Sequence, residues 1–378
     1  MLVEELFFSR FGEIAQIVAV APGRVNLIGE HTDYNEGFVF PVAIDRYVKV
    51  AIGVTDGESK LYSKELGDGV GFNVNKLSSN IEGWSKYVAG MAYAFIKLGI
   101  SLPNVRMVVS SNLPIGIGVS SSAALEMAAG LAWLEAAGTV LPEMELAKAG
   151  QLCENEYVGV NSGIMDQAAS ACAHAGCAMF LDTKSLEATH AFLPDDLAIV
   201  LCDTQTPRSL TTSVYNERRD QCRIACEIMA ISSLRYARLE DLDSAWDKMP
   251  EVVFRRAHHV ITENARCIGF VDALDKNNRQ KIHMLMRASH ESLRDNYEVS
   301  SEALDVMAEA AWDAPGCIGA RMTGAGFGGA CVALVEADRT DAFLRSVQSR
   351  YQTKTGRTGE YLLCKAVAGA HFMRLAAG

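Results

Sequence analysis

An α+β fold in two domains is predicted by the length of this chain and by the order of its strand-like and helix-like segments. The chain has 378 residues, which is more than one hydrophobic core usually serves, so two domains of roughly 180 residues each are expected. The two kinds of segment are interleaved without the regular alternation of a doubly wound parallel sheet. We therefore expect an α+β protein.

Strands are predicted up to residue 202 wherever short β-branched, apolar runs are bounded by turn residues. These runs lie at residues 14–20, 39–42, 48–54, 105–110, 178–181 and 198–202. Apolar residues that recur at three- and four-residue steps predict helices instead. The helices of this part of the chain are expected at residues 84–98, 121–137 and 144–158.

Beyond residue 202 the predicted elements are mostly helices. They are expected at residues 210–230, 250–268, 277–296, 300–312 and 342–351, with strands at 331–335 and 360–367. Within the second of these helices, His258 and His259 have no partner at metal-ligand spacing. We expect both histidines on a solvated helix face.

The charge and the cysteine pattern restrict the class of protein. A formal net charge of -11 argues against nucleic acid or an anionic membrane as the main partner, because both require a basic surface. The acidic N-terminal segment lacks the apolar core of a signal peptide, and no run of residues is apolar enough to span a membrane. Ten cysteines without a CxxC pair are typical of free thiols in a reducing compartment. We therefore expect a cytoplasmic protein.

A glycine- and serine-rich segment at residues 113–125 follows a predicted strand and opens a predicted helix. Gly116 and Gly118 allow the backbone to approach a ligand closely. Ser120, Ser121 and Ser122 place hydroxyl and amide groups at a helix N-terminus, where an anion is favoured. The segment is therefore a candidate phosphate site, although the serines could equally serve only to cap the helix.

Charged side chains are concentrated in a loop at residues 21–34, directly after an apolar strand. Arg24, Glu30, His31 and Asp33 offer both hydrogen-bond donors and acceptors, as a polyhydroxylated ligand requires. A solvated surface turn is the alternative interpretation. A third segment, at 322–329, holds four glycines and predicts either a second phosphate-facing loop or tight packing between domains.

Together, and in this order, the three segments resemble the three signature motifs of the GHMP kinases. The stretch GRVNLIGEHTDYNEGFVFP at 23–41 resembles the galactokinase signature in particular. Two further stretches agree with that resemblance, NSGIMDQ at 161–167 and SLTTSVYNERRDQC at 209–222. The resemblance implies the GHMP fold, with a ribosomal-protein-S5-like N-terminal domain at 1–185, a ferredoxin-like C-terminal domain at 186–378, and the active site between them.

The resemblance also implies which residues meet the sugar. Asp166 is expected to face the C1 hydroxyl, with Arg24 as its partner, and the adjacent guanidinium suits both the carboxylate and a developing alkoxide. Asp166 could in addition cap the helix that it opens. The remaining sugar contacts implied by the family are Glu30, His31, Asp33, Gly163 and Tyr215. For Tyr215, packing within an amphipathic helix is the competing explanation.

For ATP and Mg²⁺ the resemblance implies a second set of residues. Ser122 and Glu154 match the magnesium ligands, with Glu156 as a rival to Glu154. Ser63 and Trp84 match the lining of the adenine pocket. The phosphate-binding segment comprises Pro114, Gly116, Gly118, Ser120, Ser121, Ser122 and Ala123.

The implied activity is ATP-dependent phosphorylation of the anomeric C1 hydroxyl of galactose by direct in-line transfer, in a monomer whose partners are galactose and Mg-ATP. One alternative is a kinase for another sugar, such as N-acetylgalactosamine, arabinose or a uronic acid. A second alternative is a non-catalytic sensor that binds sugar and ATP. An inactive structural paralogue is the third.

Overall fold

Strands and helices alternate irregularly in the computed structural model, which describes residues 1–77, 80–114, 116–206 and 211–375. This arrangement confirms the predicted α+β class. The strands, in chain order, are β1 (Ile17–Asn26), β2 (Phe38–Val39), β3 (Pro41–Val54), β4 (Ser59–Ser63), β5 (Gly67–Phe72), β6 (Val105–Ser111), β7 (Cys177–Asp182), β8 (Ala188–Phe192), β9 (Leu197–Asp203), β10 (Cys317–Thr323), β11 (Ala330–Glu336), β12 (Glu360–Cys364) and β13 (His371–Arg374).

The helices account for most of the second half of the chain. They are α1 (Val3–Phe11), α2 (Ser85–Lys97), α3 (Ser121–Ala136), α4 (Glu143–Leu152), α5 (Met165–Cys172), α6 (Thr211–Met229), α7 (Leu239–Ser244), α8 (Glu251–Asp275), α9 (Arg279–Asp295), α10 (Glu302–Trp312) and α11 (Thr340–Thr355). A π-helical turn, Cys153–Val158, continues α4. The helix predicted at 210–230 is therefore α6, and Leu210 lies outside the described residues.

A six-stranded sheet with the order β13-β1-β3-β6-β4-β5 organises the first half of the chain. The two strands predicted at 39–42 and 48–54 do not end as expected, because β3 is continuous through Asp45 and Arg46. The backbone accommodates these two polar residues as a bulge opposite the Pro22–Gly23 step of β1. A break in the apolar pattern was thus a bulge within one strand.

Helices α3 and α5 pack against this sheet, and α2 and α4 pack against α3. The middle helix, α3, is apolar around its circumference and most of its residues are buried, as expected for a helix in the interior of a core. Its N-terminus follows the glycine-rich segment at 113–120 and faces the centre of the molecule. The position of α3 therefore determines where Ser121 and Ser122 lie.

A four-stranded antiparallel sheet with the order β10-β11-β9-β12 organises the second half. In chain order its elements run β9, helices, β10, β11, α11, β12, which is the ferredoxin-like arrangement that was predicted. Alternate residues of its strands enter different cores, because successive side chains point to opposite faces. Leu201 and Val332 join the core of the first half, whereas Cys202 and Ala333 join a core formed with α6, α8 and α10.

Strand pairing crosses the predicted domain boundary at residues 185 and 186 in two places. β8 pairs with β7 and, through it, with β2 in a three-stranded sheet. The last strand, β13, returns to pair with β1 of the first half. The division into 1–185 and 186–378 remains a prediction, with these two strand pairs as exchanges between its parts.

Several elements had no clear signal in the sequence. β5 contains Gly67, Gly69 and Gly71, and glycine is depleted in strands, so only its pairing with β4 reveals it. The short helix α1 buries Val3, Leu6 and Phe7, whose spacing spans a single helical turn. Short segments of this kind depend on tertiary packing for their stability.

The prediction of a solvated face for the two adjacent histidines of α8 is wrong for His259, which is fully buried. Its Nε2 lies 3.1 Å from the Glu30 carbonyl oxygen, and its Nδ1 lies 2.9 Å from the Ser292 hydroxyl. The helix is enclosed on two sides, by α9 and by the loop that carries Glu30. A polar residue pattern therefore marked a buried hydrogen-bonding face.

Candidate active site

A cavity of about 320 Å³ lies where the charged loop after β1, the start of α5, helix α6 and the glycine-rich loop after β10 meet. It is lined by Arg24, Glu30, His31, Asp33, Tyr87, Ser122, Glu154, Val160, Ser162, Gly163, Met165, Asp166, Tyr215, Gly324 and Ala325. All seven residues predicted to meet the sugar are in this set. The seven predicted residues, which lie up to 191 positions apart in the chain (Arg24 to Tyr215), therefore meet in one cavity.

Asp166 and Arg24 form a close ion pair at the wall of this cavity. The Arg24 Nε and Nη2 atoms lie 2.8 and 2.6 Å from Asp166 Oδ1. The other carboxylate oxygen, Oδ2, accepts a hydrogen bond from the Ser120 hydroxyl at 2.5 Å. Arg24 Nη1 also donates to the Gly118 carbonyl oxygen at 2.5 Å. The pair is thus tied directly to the glycine-rich segment that precedes α3.

Asp166 lies in the first turn of α5, but it is not the residue that caps the helix. The N-cap residue is Ile164, and its side chain makes no capping hydrogen bond. The positive end of the helix dipole nevertheless lies beside the Asp166 carboxylate. The predicted capping role is therefore replaced by a position inside the first turn, from which the side chain faces the cavity.

Asp33 lies against the backbone that precedes α5. A Cβ atom on Gly163 would stand 1.9 Å from Asp33 Oδ2, so a glycine is required there for the two segments to meet. Burial and the neighbouring carboxylates of Asp166 and Glu30 raise the pKa of Asp33 to about 7. The Met165 and Tyr34 backbone N–H groups donate to the Asp33 carboxylate.

Glu30 connects the charged loop to the second half of the chain. Its Oε1 accepts a hydrogen bond from the Gly324 backbone N–H at 2.6 Å and lies 3.4 Å from Arg321 Nη1. In the same glycine-rich loop, a Cβ on Gly326 would stand 2.1 Å from the Val299 carbonyl oxygen. The segment at 322–329 is therefore tightly packed, against the first half at Gly324 and within the second half at Gly326.

Ser122 and Glu154 lie side by side at the far end of this cavity. The Ser122 Oγ is 3.3 Å from Glu154 Oε1, and the Ser162 hydroxyl donates to Glu154 Oε2. Glu156 instead pairs with Lys97 and Tyr93 on an exposed surface. Of the two candidate carboxylates, Glu154 is therefore the one that faces the cavity.

The carboxyl groups around Ser122 are crowded. Burial raises the pKa of Glu154, and Asp166 adds to that shift. Behind Glu154, the fully buried Glu126 has a pKa raised well above its usual value by burial and by the Glu154 charge. A cation near Glu154 would relieve this repulsion.

A second cavity of about 300 Å³ adjoins the first at Ser122 and Tyr87, which line both. It is lined mainly by apolar groups, together with several polar residues. The lining residues are Val48, Ser63, Glu65, Leu66, Trp84, Tyr87, Val109, Ser111, Leu113, Ser121, Ser122 and Leu125. Ser63 and Trp84, predicted for the adenine pocket, both face this space.

Other residues of the predicted phosphate segment do not line either cavity. Pro114, Gly116, Gly118 and Ala123 are absent from both walls, and Ala123 is fully buried in α3. Gly116 has a left-handed φ of 81° and open space around its Cβ position, so its role is to shape the turn. The Ser120 hydroxyl donates its hydrogen bond to Asp166. Ser121 and Ser122 are the members of this segment that face the cavities.

Tyr87 is a site residue that the sequence analysis missed. It follows Trp84 by three residues, a spacing that places both side chains on one helix face. Burial raises the pKa of its phenol to about 12, and the Glu154 charge adds to the shift. Helical spacing from Trp84 was the signal that could have identified it.

Within residues 1–77, 80–114, 116–206 and 211–375, no group of three or more His, Cys, Asp or Glu side chains converges as a metal site. In those same ranges no helix combines the length and the apolar character needed to cross a bilayer.

Comparison with known families relates these cavities to characterised proteins. The family model described as the galactokinase galactose-binding signature matches residues 5–54. The models of the GHMP kinases N terminal domain and GHMP kinases C terminal match residues 86–174 and 270–353. The segments at 21–34, 113–125, 161–167 and 322–329 lie within the matched regions, whereas the stretch at 209–222 lies outside them.

Individual relatives are similar over nearly the whole chain. A galactokinase of Roseiflexus sp. is 37% identical, with 97% of this chain and 95% of that protein covered. A galactokinase of Chloroflexus aggregans is 39% identical, with 95% and 94% covered. The crystal structure of Lactococcus lactis galactokinase complexed with galactose superposes with a TM-score of 0.92 at 36% identity, covering 97% of this chain and 98% of that one. A mevalonate kinase structure from Methanococcus jannaschii shares the fold, with a TM-score of 0.65 at 19% identity.

Proposed function

Because this chain belongs to the galactokinase family of the GHMP kinases, we propose that it uses ATP to phosphorylate galactose, by direct in-line transfer of the γ-phosphoryl group to the C1 hydroxyl. One observation carries the proposal. Two cavities meet at Ser122 and Tyr87, and the Asp166–Arg24 ion pair lies on the wall of one of them. A sugar in one cavity and a nucleotide in the other would meet at that junction.

The first cavity suits a sugar. Carboxylates at Glu30 and Asp33 can accept hydrogen bonds from hydroxyl groups, and His31 and Tyr215 add a polar ring and a phenol to the same wall. The relative from Lactococcus lactis was crystallised with galactose, which supports galactose as the ligand. Asp166 would then face the reacting C1 hydroxyl.

The second cavity suits a nucleotide. Trp84, Leu66 and Leu125 provide apolar surface for a base. Ser121 and Ser122 begin α3, where the unpaired N–H groups and the helix dipole favour phosphate oxygens. This arrangement directs the triphosphate from the apolar cavity toward the sugar.

The donor set at Ser122 and Glu154 fits Mg²⁺. Glu154 accepts hydrogen bonds from three neutral groups, the hydroxyls of Ser122 and Ser162 and the Gln167 amide, so its charge can be compensated by a cation. Magnesium prefers oxygen ligands and is usually held by one or two protein groups together with phosphates and water. When bound there, it would neutralise charge on the nucleotide phosphates.

In this proposal the chain's own residues position and polarise the sugar. Arg24 and Ser120 hold the two oxygens of the Asp166 carboxylate in place. Asp166 would orient the C1 hydroxyl and draw its proton away as the new P–O bond forms. Arg24 would stabilise the negative charge that develops on the C1 oxygen.

A coupled ADP-release assay tests the proposal with galactose, N-acetylgalactosamine, glucose, arabinose, galacturonate and mevalonate as acceptors. We expect turnover to be fastest on galactose and to fall by at least about 100-fold in Asp166→Asn, the scale of general acid–base contributions. Asp338→Asn, in an exposed turn, is the matched control and should retain full activity. Faster turnover on another sugar would contradict galactose as the substrate. Galactose binding without turnover would favour the non-catalytic sensor.

We further propose that the enzyme acts as a monomer in the cytoplasm, without nucleic acid partners. Residues of a single chain line both cavities, so the site needs no second copy. The net charge of -11 disfavours nucleic acid binding. Light scattering after size exclusion should give a mass near 40.9 kDa, and a mass twice as large would overturn the monomer.

A further inference from the structure

His31 is held by two hydrogen bonds that define its protonation. Its Nε2 lies 3.3 Å from the Ala325 carbonyl oxygen, and its Nδ1 lies 2.8 Å from the Tyr34 hydroxyl. A carbonyl oxygen can only accept, so Nε2 must carry the hydrogen. Burial, together with the nearby His259, lowers the pKa of His31 to about 3, so the ring is neutral. Nδ1 must therefore accept, and the Tyr34 hydroxyl must donate to it.

The same reasoning fixes the next two hydrogen bonds. The Tyr34 hydroxyl has one hydrogen, which it gives to His31, so it accepts from the Tyr297 hydroxyl at 2.8 Å. The Tyr297 oxygen can then accept from the Cys222 thiol at 3.3 Å. Cys222, Tyr297, Tyr34 and His31 thus form a buried hydrogen-bond chain in which each group donates toward His31.

This buried hydrogen-bond chain joins separate parts of the fold. Cys222 lies in α6, Tyr297 follows α9, and Tyr34 belongs to the charged loop. Tyr297 is itself fixed, because Arg218 Nε donates to its carbonyl oxygen at 2.8 Å. His31 has a left-handed φ of 62°, an uncommon conformation for a non-glycine residue that needs support from its surroundings.

We propose that Tyr34, supported by Tyr297 and Cys222, is a positioning residue that acts together with the Ala325 carbonyl oxygen to keep His31 in the Nε2–H tautomer, so that its ring presents a hydrogen-bond donor to a sugar hydroxyl. The inference rests on the proposed function, since it names how that sugar site recognises its ligand. His31 and Ala325 both line the sugar cavity, and the 3.3 Å contact between them is long. A ligand oxygen can therefore compete for this hydrogen.

The opposite tautomer would change what the cavity offers. A hydrogen on Nδ1 would turn Nε2 into an acceptor facing the Ala325 carbonyl, which is also an acceptor. The Tyr34 hydroxyl would lose its acceptor at His31. A site built to donate to a substrate oxygen discriminates against ligands that lack it, because buried polar groups are left unpaired. Tyr34, Tyr297 and Cys222 thus contribute to sugar selectivity without contacting the sugar.

The direct test is nitrogen-15 NMR of the full-length protein labelled at histidine, with the His31 signals assigned by their loss in His31→Asn. We expect the shifts of a neutral ring with hydrogen on Nε2, before any sugar is added. In Tyr34→Phe we expect a mixture of tautomers, because only the long contact with the Ala325 carbonyl oxygen then favours hydrogen on Nε2. A wild-type His31 with hydrogen on Nδ1 would overturn the proposal, and this readout does not depend on enzyme activity.

Steady-state kinetics give the second test. We expect Tyr34→Phe to raise the KM for galactose roughly 10-fold or more, as for loss of one buried hydrogen bond, with the KM for ATP unchanged. Tyr297→Phe should have a smaller effect of the same kind, because Tyr34 can still donate. Tyr361→Phe is the control, since that hydroxyl lies 4.0 Å from its Met307 sulfur contact.

The outcomes separate this inference from the proposed function. An unchanged KM for galactose in Tyr34→Phe, with unchanged His31 shifts, would overturn the positioning role while the kinase activity stands. A wild-type protein that fails to phosphorylate galactose would overturn the proposed function. The NMR result would still decide whether the buried hydrogen-bond chain helps to set the His31 tautomer.

Discussion

At the scale of single residues, the sugar cavity depends on close approaches that leave little space. Gly163 brings the backbone before α5 against Asp33, and Arg24 reaches both Asp166 and Gly118. Asp33, Glu30 and Asp166 carry charge within the same small volume. The site therefore combines a steric requirement at Gly163 with an electrostatic cost at Asp33, and each can be tested alone.

Gly163→Ala should weaken galactose binding. Its added Cβ would stand 1.9 Å from Asp33 Oδ2, so Asp33 or the loop must move. We expect the KM for galactose to rise roughly 10- to 100-fold, since an ångström-scale displacement in a site costs that much. Gly57→Ala is the control, because its Cβ would meet Thr55 at an ordinary 3.7 Å. Equal KM values for both variants would refute the steric argument.

Asp33→Asn should alter the pH dependence of stability. The pKa of Asp33 is raised from 3.8 to about 7 by burial, Asp166 and Glu30, so the folded state binds more protons than the unfolded state in that range. Stability is therefore lost as the pH rises from about 4 to about 7. Relative to wild type, we expect Asp33→Asn to gain about 2 kcal/mol between about pH 5 and about pH 8.

Urea unfolding at the two pH values measures this difference, with Asp338→Asn as the exposed control. The cavity partly solvates Asp33, so the gain should be smaller than complete burial would produce. Parallel pH profiles for wild type and Asp33→Asn would show that Asp33 is not perturbed.

At the scale of elements, helix contacts in the first half depend on small residues. A Cβ on Gly150 of α4 would stand 2.5 Å from the Met127 methyl of α3 and 2.8 Å from the Gln167 side chain of α5. Gln167 donates to Glu126 at 3.0 Å and also contacts Glu154. The spacing of three helices therefore affects Glu154, which lines the site, and Glu126 behind it.

Gly150→Ala should destabilise the protein, and Gly269→Ala should stabilise it. Both residues lie inside helices, where alanine is favoured over glycine by about 1 kcal/mol. At Gly269 of α8 the new Cβ would meet Leu285 at an ordinary 3.6 Å. At Gly150 overpacking should outweigh the gain, for a net loss of about 1 to 2 kcal/mol. Thermal unfolding decides, and stabilisation of both variants would contradict the close-packing argument.

At the scale of the whole molecule, a buried polar network joins the two halves behind the charged loop at residues 21–34. Arg321 of β10 is fully buried and donates to the Asn26 carbonyl oxygen at 3.0 Å, besides its contact with Glu30. Glu263 of α8 accepts from the Gly29 backbone N–H at 2.9 Å. Although burial alone would raise the pKa of Glu263, Arg266 and Arg321 lower it to about 2. The charged loop is therefore held in place by the second half of the chain.

Arg321→Met should both destabilise the protein and impair the sugar site. Removing Arg321 leaves the buried Glu30 without its ion-pair partner, at a cost of about 3 to 5 kcal/mol, while Glu263 keeps its pair with Arg266. We expect lower urea resistance and a raised KM for galactose in the protein that remains folded. Arg350→Met is the control, since its exposed pair with Asp313 should contribute less than about 1 kcal/mol. Similar losses of stability in both variants would show that the buried network contributes no more than an exposed ion pair.

Much of the fold and the site could be predicted because the evidence is local in sequence. Apolar periodicity located most helices and strands, and the loops at 21–34, 113–125 and 161–167 carried residues that line the cavities. The missed elements, such as α1, β5 and β13, are short or glycine-rich, and they exist because neighbouring segments cover or pair with them. Tyr87 was missed because its neighbours in space are distant in the chain.

The family, the α+β class and the set of residues that line the proposed sugar cavity could all be inferred from the sequence, since residue types and spacings encode those features directly. The pairing of side chains, by contrast, depends on the tertiary structure. The Ser120 hydroxyl donates its hydrogen bond to Asp166 and does not face a cavity. His259 is buried, with its Nε2 beside the Glu30 carbonyl oxygen, and is not solvated. The tertiary structure also directs the hydrogen bonds of His31 through residues from three segments. Burial and hydrogen-bond direction depend on contacts between distant segments, and those contacts exist only once the chain has folded.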